Sequence, residues 1–175
     1  MQWKPPGEWA DLKNGVKCPM CQDIHLEENP FSFLVTELKQ SYVRLPRNQF
    51  MRGWTIVALK RHACELFELG QQELLEFWQD VAQVAKALDK LYQPTKINYC
   101  IFGHHCPHIH CHLLVHSFAD DPSKPIDMNE REVLLPRAEY QAMAQQLREA
   151  ILSAAEPVDA PDATAASRVA NSPQP

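Results

Sequence analysis

Between Gly103 and His116 the chain reads Gly-His-His-Cys-Pro-His-Ile-His-Cys-His-Leu-Leu-Val-His, and six of its eight histidines lie there. His108, His110 and His112 alternate with Ile109, Cys111 and Leu113. Period two belongs to a strand, where residues i, i+2 and i+4 share a face. A helix would scatter the three rings around its axis. The segment therefore reads as a strand with three imidazoles on one face and apolar side chains on the other. Core packing alone accounts for it poorly, because adjacent buried imidazoles need partners for all their ring nitrogens. A purification tag or a metal store needs no interleaved apolar residues.

The surrounding pattern fits a sheet and two helices. Phe31–Glu37, Ser41–Leu45 and Trp54–Leu59, the last opened by Gly53, are rich in β-branched and aromatic residues. Ile97–Phe102 and Ile109–Val115 complete five strands. Leu74, Phe77, Trp78, Val81, Val84, Ala85, Leu88 and Leu91 form one stripe, which predicts an amphipathic helix over Gln71–Tyr92, stopped by Pro94. Tyr140, Met143, Leu147 and Ile151 mark a second helix after Pro136. Residues 117–135 read as a loop. The expected class is α+β, an antiparallel five-stranded sheet with the long helix packed on it, plus a C-terminal helix. Residues 1–17, with Pro5 and Pro6, read as an irregular arm, 18–152 as one domain, and the Ala-, Pro- and Ser-rich residues 153–175 as a disordered tail.

Composition removes several functions. Of 175 residues, 17 are basic and 22 acidic, a formal net charge of -5, so bulk electrostatic binding of nucleic acid is not expected. The five glycines are too scattered for a glycine-rich phosphate loop. No run approaches the roughly 20 apolar residues of a membrane span. The first residues lead into no apolar stretch, so no secretory signal is expected and a cytoplasmic setting is. The six cysteines are then expected as thiols or metal ligands. Cys18-Pro19-Met20-Cys21 has zinc-clamp spacing, although the spacing also suits a redox pair or two unrelated thiols. Cys64, Cys100, Cys106 and Cys111 read as small buried residues, and Trp54 as core.

The run His108-Ile109-His110-Cys111-His112-Leu113-Leu114 resembles the His-x-His-x-His-x-x signature of the histidine triad (HIT) superfamily of nucleotide hydrolases and transferases. The likeness extends back through Ile56–His62, Glu65-Leu66, Ile97-Asn98-Tyr99 and Gly103, and spans roughly Cys18 to His116. It implies that His110 is a nucleophile attacking an α-phosphorus to give a covalent nucleotidyl-histidine, which water resolves to a nucleoside monophosphate. His112 would hydrogen-bond the phosphate or the leaving-group oxygen. Asn98 and Asn48 match positions where relatives place polar residues near phosphate or ribose, with turn and loop capping as the alternatives. Gly103 and His104 lie in the turn whose backbone N–H groups would approach the phosphates, with His104 itself read as a surface histidine or, alternatively, a phosphate contact.

Zinc-containing branches, and the related galactose-1-phosphate uridylyltransferases, imply one structural zinc on Cys18, Cys21, His62 and His108. The transferase likeness includes Gly103-x-x-x-Pro107-His108-x-His110. Homodimers are common in the family, so one is expected. Many relatives follow the triad with Pro-Arg, where this chain has Val115-His116-Ser117, and the turn before it lacks a glutamine seen in dinucleoside polyphosphate hydrolases. The resemblance therefore implies a nucleotide hydrolase acting on dinucleoside polyphosphates or nucleoside phosphoramidates. The alternatives are a nucleotidylyltransferase or phosphorylase sharing the intermediate, and a non-catalytic zinc-stabilised nucleotide binder.

Overall fold

Five runs of β-branched and aromatic residues pair into one antiparallel sheet. They are β1 (Ser32–Glu37), β2 (Ser41–Pro46), β3 (Thr55–Leu59), β4 (Lys96–Ile101) and β5 (His110–His116), in the order β1-β2-β3-β5-β4. The computed structural model describes residues 3–124, 126–127 and 131–154. Four α-helices accompany the sheet: α1 (Pro6–Lys13), α2 (Pro19–Asp23), α3 (Gln71–Tyr92) and α4 (Arg137–Ala154). No described helix is long and apolar enough to cross a membrane.

One face of the sheet makes the core. Val43, Leu45, Val57, Leu59, Cys111 and Leu113 pack with Phe77, Val81, Val84 and Leu88 of α3, and with Tyr140, Met143, Leu147 and Ile151 of α4. Both helical stripes predicted by period 3.6 thus supply the buried faces, except that Trp78 and Leu91 of the first stripe are left exposed. Asp80 of α3 fastens the helix to the β1–β2 turn, accepting from the Gln40 amide at 2.8 Å and the Ser41 hydroxyl at 2.7 Å. With odd-numbered β5 residues committed to this core, the alternating histidines are forced onto the opposite face.

Three details differ from the sequence reading. The arm 1–17 is not wholly irregular, since α1 occupies Pro6–Lys13 and buries Leu12. Pro6 at its first position has a φ already suited to a helix, but one buried residue leaves no periodic stripe to detect. The Cys18–Cys21 turn is a five-residue helix, α2, with Cys18 at its N-cap. β5 begins at His110, so His108 stands just ahead of the strand. The proposed tail lies outside the described residues except Ser153 and Ala154, which extend α4.

Candidate active site and metal centre

β3 and β5 set the two histidines by register, with Ala58 opposite His110 and Ile56 opposite His112. The two rings meet edge to face, 4.8 Å between centroids. His110 Nδ1 lies 2.5 Å from the carbonyl oxygen of His108. A carbonyl only accepts, so Nδ1 carries the proton and Nε2 keeps its lone pair. Among the described residues the one side-chain nitrogen or oxygen sealed away without a partner is His116 Nε2. His110 Nε2 is therefore unpartnered yet reachable. Burial pushes the His110 pKa below its ordinary value, which keeps the ring neutral.

His112 has the opposite tautomer. The indole Nε1–H of Trp54 donates to His112 Nδ1 at 3.1 Å. Indole has no acceptor to offer, so Nδ1 is bare and Nε2 carries the proton. Burial, then the neighbouring His110, lowers the His112 pKa to about 3. Trp54 is thus more than the core residue that sequence suggests. Its one missed signal is chemical: a buried indole N–H needs an acceptor.

The turn before β3 aims Trp54. Gly53 has φ +91°, and a Cβ there would stand 2.9 Å from the Tyr92 ring. Glycine alone fits both the left-handed backbone and the close approach. The buried Gln49 ties the turn together. Its Nε2 donates to the carbonyls of Pro46 (2.8 Å) and Trp54 (3.2 Å), while its Oε1 accepts from the Gly53 amide at 3.0 Å.

His110 and His112 open into a cavity of about 730 Å³, walled by Met20, Phe31, Ile56, Trp54 and the turn residues His104 and His105. Apolar walls with a few convergent polar groups are the usual character of a small-molecule site. Asn48 stands at its rim but is heavily engaged. Its amide donates to Arg131 O (3.0 Å), and its Oδ1 accepts from the Phe50 (3.0 Å) and Val133 (2.9 Å) amides. Gly103 belongs to a neighbouring cleft that shares His104, and a Cβ on it would touch nothing. Asn98, on β4, pairs with Leu114 of β5 and is not among the residues around the cavity.

Next to His110 lies a cluster of side chains that could hold a metal ion. The ligand atoms of Cys18, Cys21, His62 and His108 all lie within 4.8 Å of one another. His108 Nδ1 is 3.5 Å from both thiol sulfurs, and His62 Nδ1 is 3.3 Å from Cys21 Sγ. A tetrahedral ion about 2.3 Å from sulfur and about 2.0 Å from nitrogen sets S···N near 3.5 Å. Both histidines point Nδ1 inward because each Nε2–H is taken by a carbonyl, Leu59 O at 2.7 Å and Lys13 O at 2.9 Å. Such outer partners fix the ligating tautomer.

The two thiols are held differently. The Cys106 thiol beside Cys18, 3.9 Å between sulfurs, holds Cys18 far below its ordinary range. Burial, then Cys18, pushes Cys21 up to about 12. The donor set thus fits a zinc-like ion, and binding one would release the remaining thiol proton. Cys64 lies outside the four-residue set, its thiol 2.9 Å from Pro107 O and 3.6 Å from His62 Nε2.

The model of the HIT domain matches residues 27–119, more than half of the chain. The chain belongs to the HIT family. That places it in a superfamily of nucleotide-binding proteins, hydrolases and transferases. No curated protein sequence matches it. Among solved structures it resembles a histidine triad protein from Bradyrhizobium japonicum at 18% identity and a TM-score of 0.65, covering 74% of this chain and 97% of that one. A histidine triad protein from Marinobacter aquaeolei VT8 aligns at 16% identity and 0.66, covering 76% and 98%. A Zn-bound histidine triad family protein from Mycobacterium smegmatis aligns at 19% and 0.58, covering 79% and 95%. At these identities the likeness is one of fold, and it agrees with the five-stranded HIT sheet and its two long helices.

Proposed function

We propose that this HIT protein is a nucleotide hydrolase working through a covalent nucleotidyl-histidine on His110. Its substrates on this reading are dinucleoside polyphosphates or nucleoside phosphoramidates, and its product is a nucleoside monophosphate. One observation carries the reading: His110 Nδ1 is held by the His108 carbonyl while Nε2 stays neutral, unpartnered and open to the cavity. In the first step Nε2 attacks the α-phosphorus, the N–P bond forms, and the leaving-group bond breaks with its electron pair. His110 keeps its Nδ1 proton, so the intermediate is a phospho-imidazolium that water opens readily. The Nε2–H of His112 supplies a hydrogen bond to the charge that builds on oxygen.

On the same reading Cys18, Cys21, His62 and His108 hold one zinc ion. Four protein ligands leave no open position, so its contribution is structural. It would pin α2 to the sheet and fix His108, whose carbonyl sets the His110 tautomer. Six cysteines without a disulfide suit a reducing cytoplasm. A homodimer through the free edge of β4 is part of the proposal.

The test is turnover. Purified protein is incubated with diadenosine polyphosphates and adenosine phosphoramidate, and products are separated by chromatography. Wild type is expected to release adenosine monophosphate, and His110→Ala to lose at least about a thousandfold in rate while remaining folded. Unchanged turnover by the variant rejects the mechanism. A trapped nucleotidyl-protein in wild type alone supports it.

A further inference from the structure

We infer that Trp54 makes His112 a hydrogen-bond donor that cannot act as a proton donor, and so restricts the reaction to leaving groups that depart as oxyanions. The inference rests on the nucleotidyl-histidine reading above and selects between its two substrate classes.

The argument starts from what each ring nitrogen faces. His112 Nδ1 receives the Trp54 Nε1–H at 3.1 Å. Protonating Nδ1 would set two N–H groups head to head, with no acceptor between them. Trp54 cannot rotate away freely. It is 7% exposed, its ring packs edge to face against Phe50 at 5.3 Å, and its backbone is held by Gln49 and by Met51 O. On the other flank Phe102 covers the His112 ring, 5.7 Å between centroids. Across the neighbouring strands Ile56 and Cys100 stand opposite His112, and its ring meets that of His110, itself fixed by the His108 carbonyl. His112 is therefore kept neutral with its only proton on Nε2. If it gave that proton away outright, it would be left as an imidazolate.

The two substrate classes differ in what they need from it. Cleaving a phosphoanhydride breaks P–O, and the electron pair goes to a phosphate oxygen. That product is stable as an anion near neutral pH, since the second phosphate pKa is about 6. A donated hydrogen bond suffices. Cleaving a phosphoramidate breaks P–N and puts the pair on nitrogen, which must take up a proton in order to leave as an amine. Among the described residues no buried side chain beside His110 is placed to deliver one. The other titratable groups around the cavity include His104, His105, Asp127 and Glu132, all on exposed segments. Cys106 is there too, its thiol turned to Cys18 with 3.9 Å between the sulfurs. Arg47 is tied to Glu28 and the Asn29 carbonyl.

The experiment has a kinetic and a spectroscopic arm. In the first, kcat/KM is measured for a diadenosine polyphosphate and for adenosine phosphoramidate. Both donate the same adenylyl group, so the ratio isolates the leaving group. Wild type should favour the polyphosphate by about a hundredfold or more, the usual worth of a missing general acid. Trp54→Phe removes the opposing donor, and Trp54→Gln offers an acceptor to an Nδ1–H. In each the ratio should move toward the amidate by at least about tenfold.

In the second arm, 15N spectra of histidine-labelled protein read the His112 tautomer directly, with His112→Asn assigning the signals. Wild type should show the Nε2–H form, and Trp54→Phe should lose that bias. A wild type that cleaves the amidate as fast as the polyphosphate overturns the inference but leaves the nucleophile standing. So does an Nδ1–H form in wild-type spectra. No turnover of either substrate rejects the hydrolase reading, and with it the substrate choice.

Discussion

His110 and His112 show how two identical side chains on one strand acquire different chemistry from what lies behind them. A carbonyl behind His110 Nδ1 exposes a lone pair, and an indole N–H behind His112 Nδ1 exposes a proton. Both rings are buried and neutral, and this has a cost. The His112 pKa is depressed from 6.5 to about 3 by burial, so below pH 6.5 the unfolded chain binds a proton that the folded chain refuses. Stability present above that pH is lost as pH falls through the window from about 6.5 to about 3. At pH 5 the loss is about 2 kcal/mol. Urea unfolding of wild type and His112→Asn at pH 7.5 and pH 5 should show the wild type losing about that much more. Equal losses in the two proteins would mean that His112 already titrates normally in the fold. Gly53 gives a second prediction at this scale. Gly53→Ala forces a Cβ against the Tyr92 ring in a left-handed backbone, and about 2 kcal/mol or more of destabilisation is expected from chemical denaturation.

Among the elements, the helices were the most legible and the N-terminal arm the least. The stripe marks α3 because that helix buries Phe77, Val81, Val84, Ala85 and Leu88 in the core. The helix α1 buries only Leu12, so hydrophobic periodicity has nothing to register. Its place becomes clear only in three dimensions. The Lys13 carbonyl accepts from His62 Nε2, and Gly15, with φ +78°, passes so close that a Cβ would lie 3.3 Å from the His62 ring. The arm is thus the outer support of the metal cluster. Deleting residues 3–14 should weaken zinc affinity by about ten- to a hundredfold, the usual effect of losing an outer-shell partner. Competition with a chromophoric chelator measures it. Cys18→Ser, which removes a ligand itself, should abolish tight binding and lower Tm in the zinc-loaded protein. A zinc-loaded wild type that melts like a chelator-treated sample would remove the structural role.

In the molecule as a whole, the sheet, its helical layer and the Cys18–Cys21 pair were readable because each follows from a short-range pattern: period two, period 3.6, or Cys-x-x-Cys; His62 and His108 joined the pair only through the family resemblance. The Trp54–His112 bond was not readable, since it joins residues 58 positions apart across strands whose register no local pattern specifies. The same distinction bears on assembly. β4 ends the sheet, and its outer edge has no strand beside it among the described residues. It carries Tyr99, 48% exposed, and Ile101, 37% exposed. Soluble proteins usually blunt such an edge with charge, proline or a covering element. Lys96 is the only charged residue on β4, so the strand is poorly defended for a monomer. A second copy pairing along it would satisfy the free backbone groups and cover both side chains. The expected species is therefore a dimer in sedimentation equilibrium. Tyr99→Lys combined with Ile101→Lys should give a monomer that still binds zinc, because the metal cluster draws on α2, His62 and His108 rather than on β4. A monomeric wild type at micromolar concentration would show that the edge stays unpaired, and a dimer unmoved by the double substitution would place the interface elsewhere on the surface.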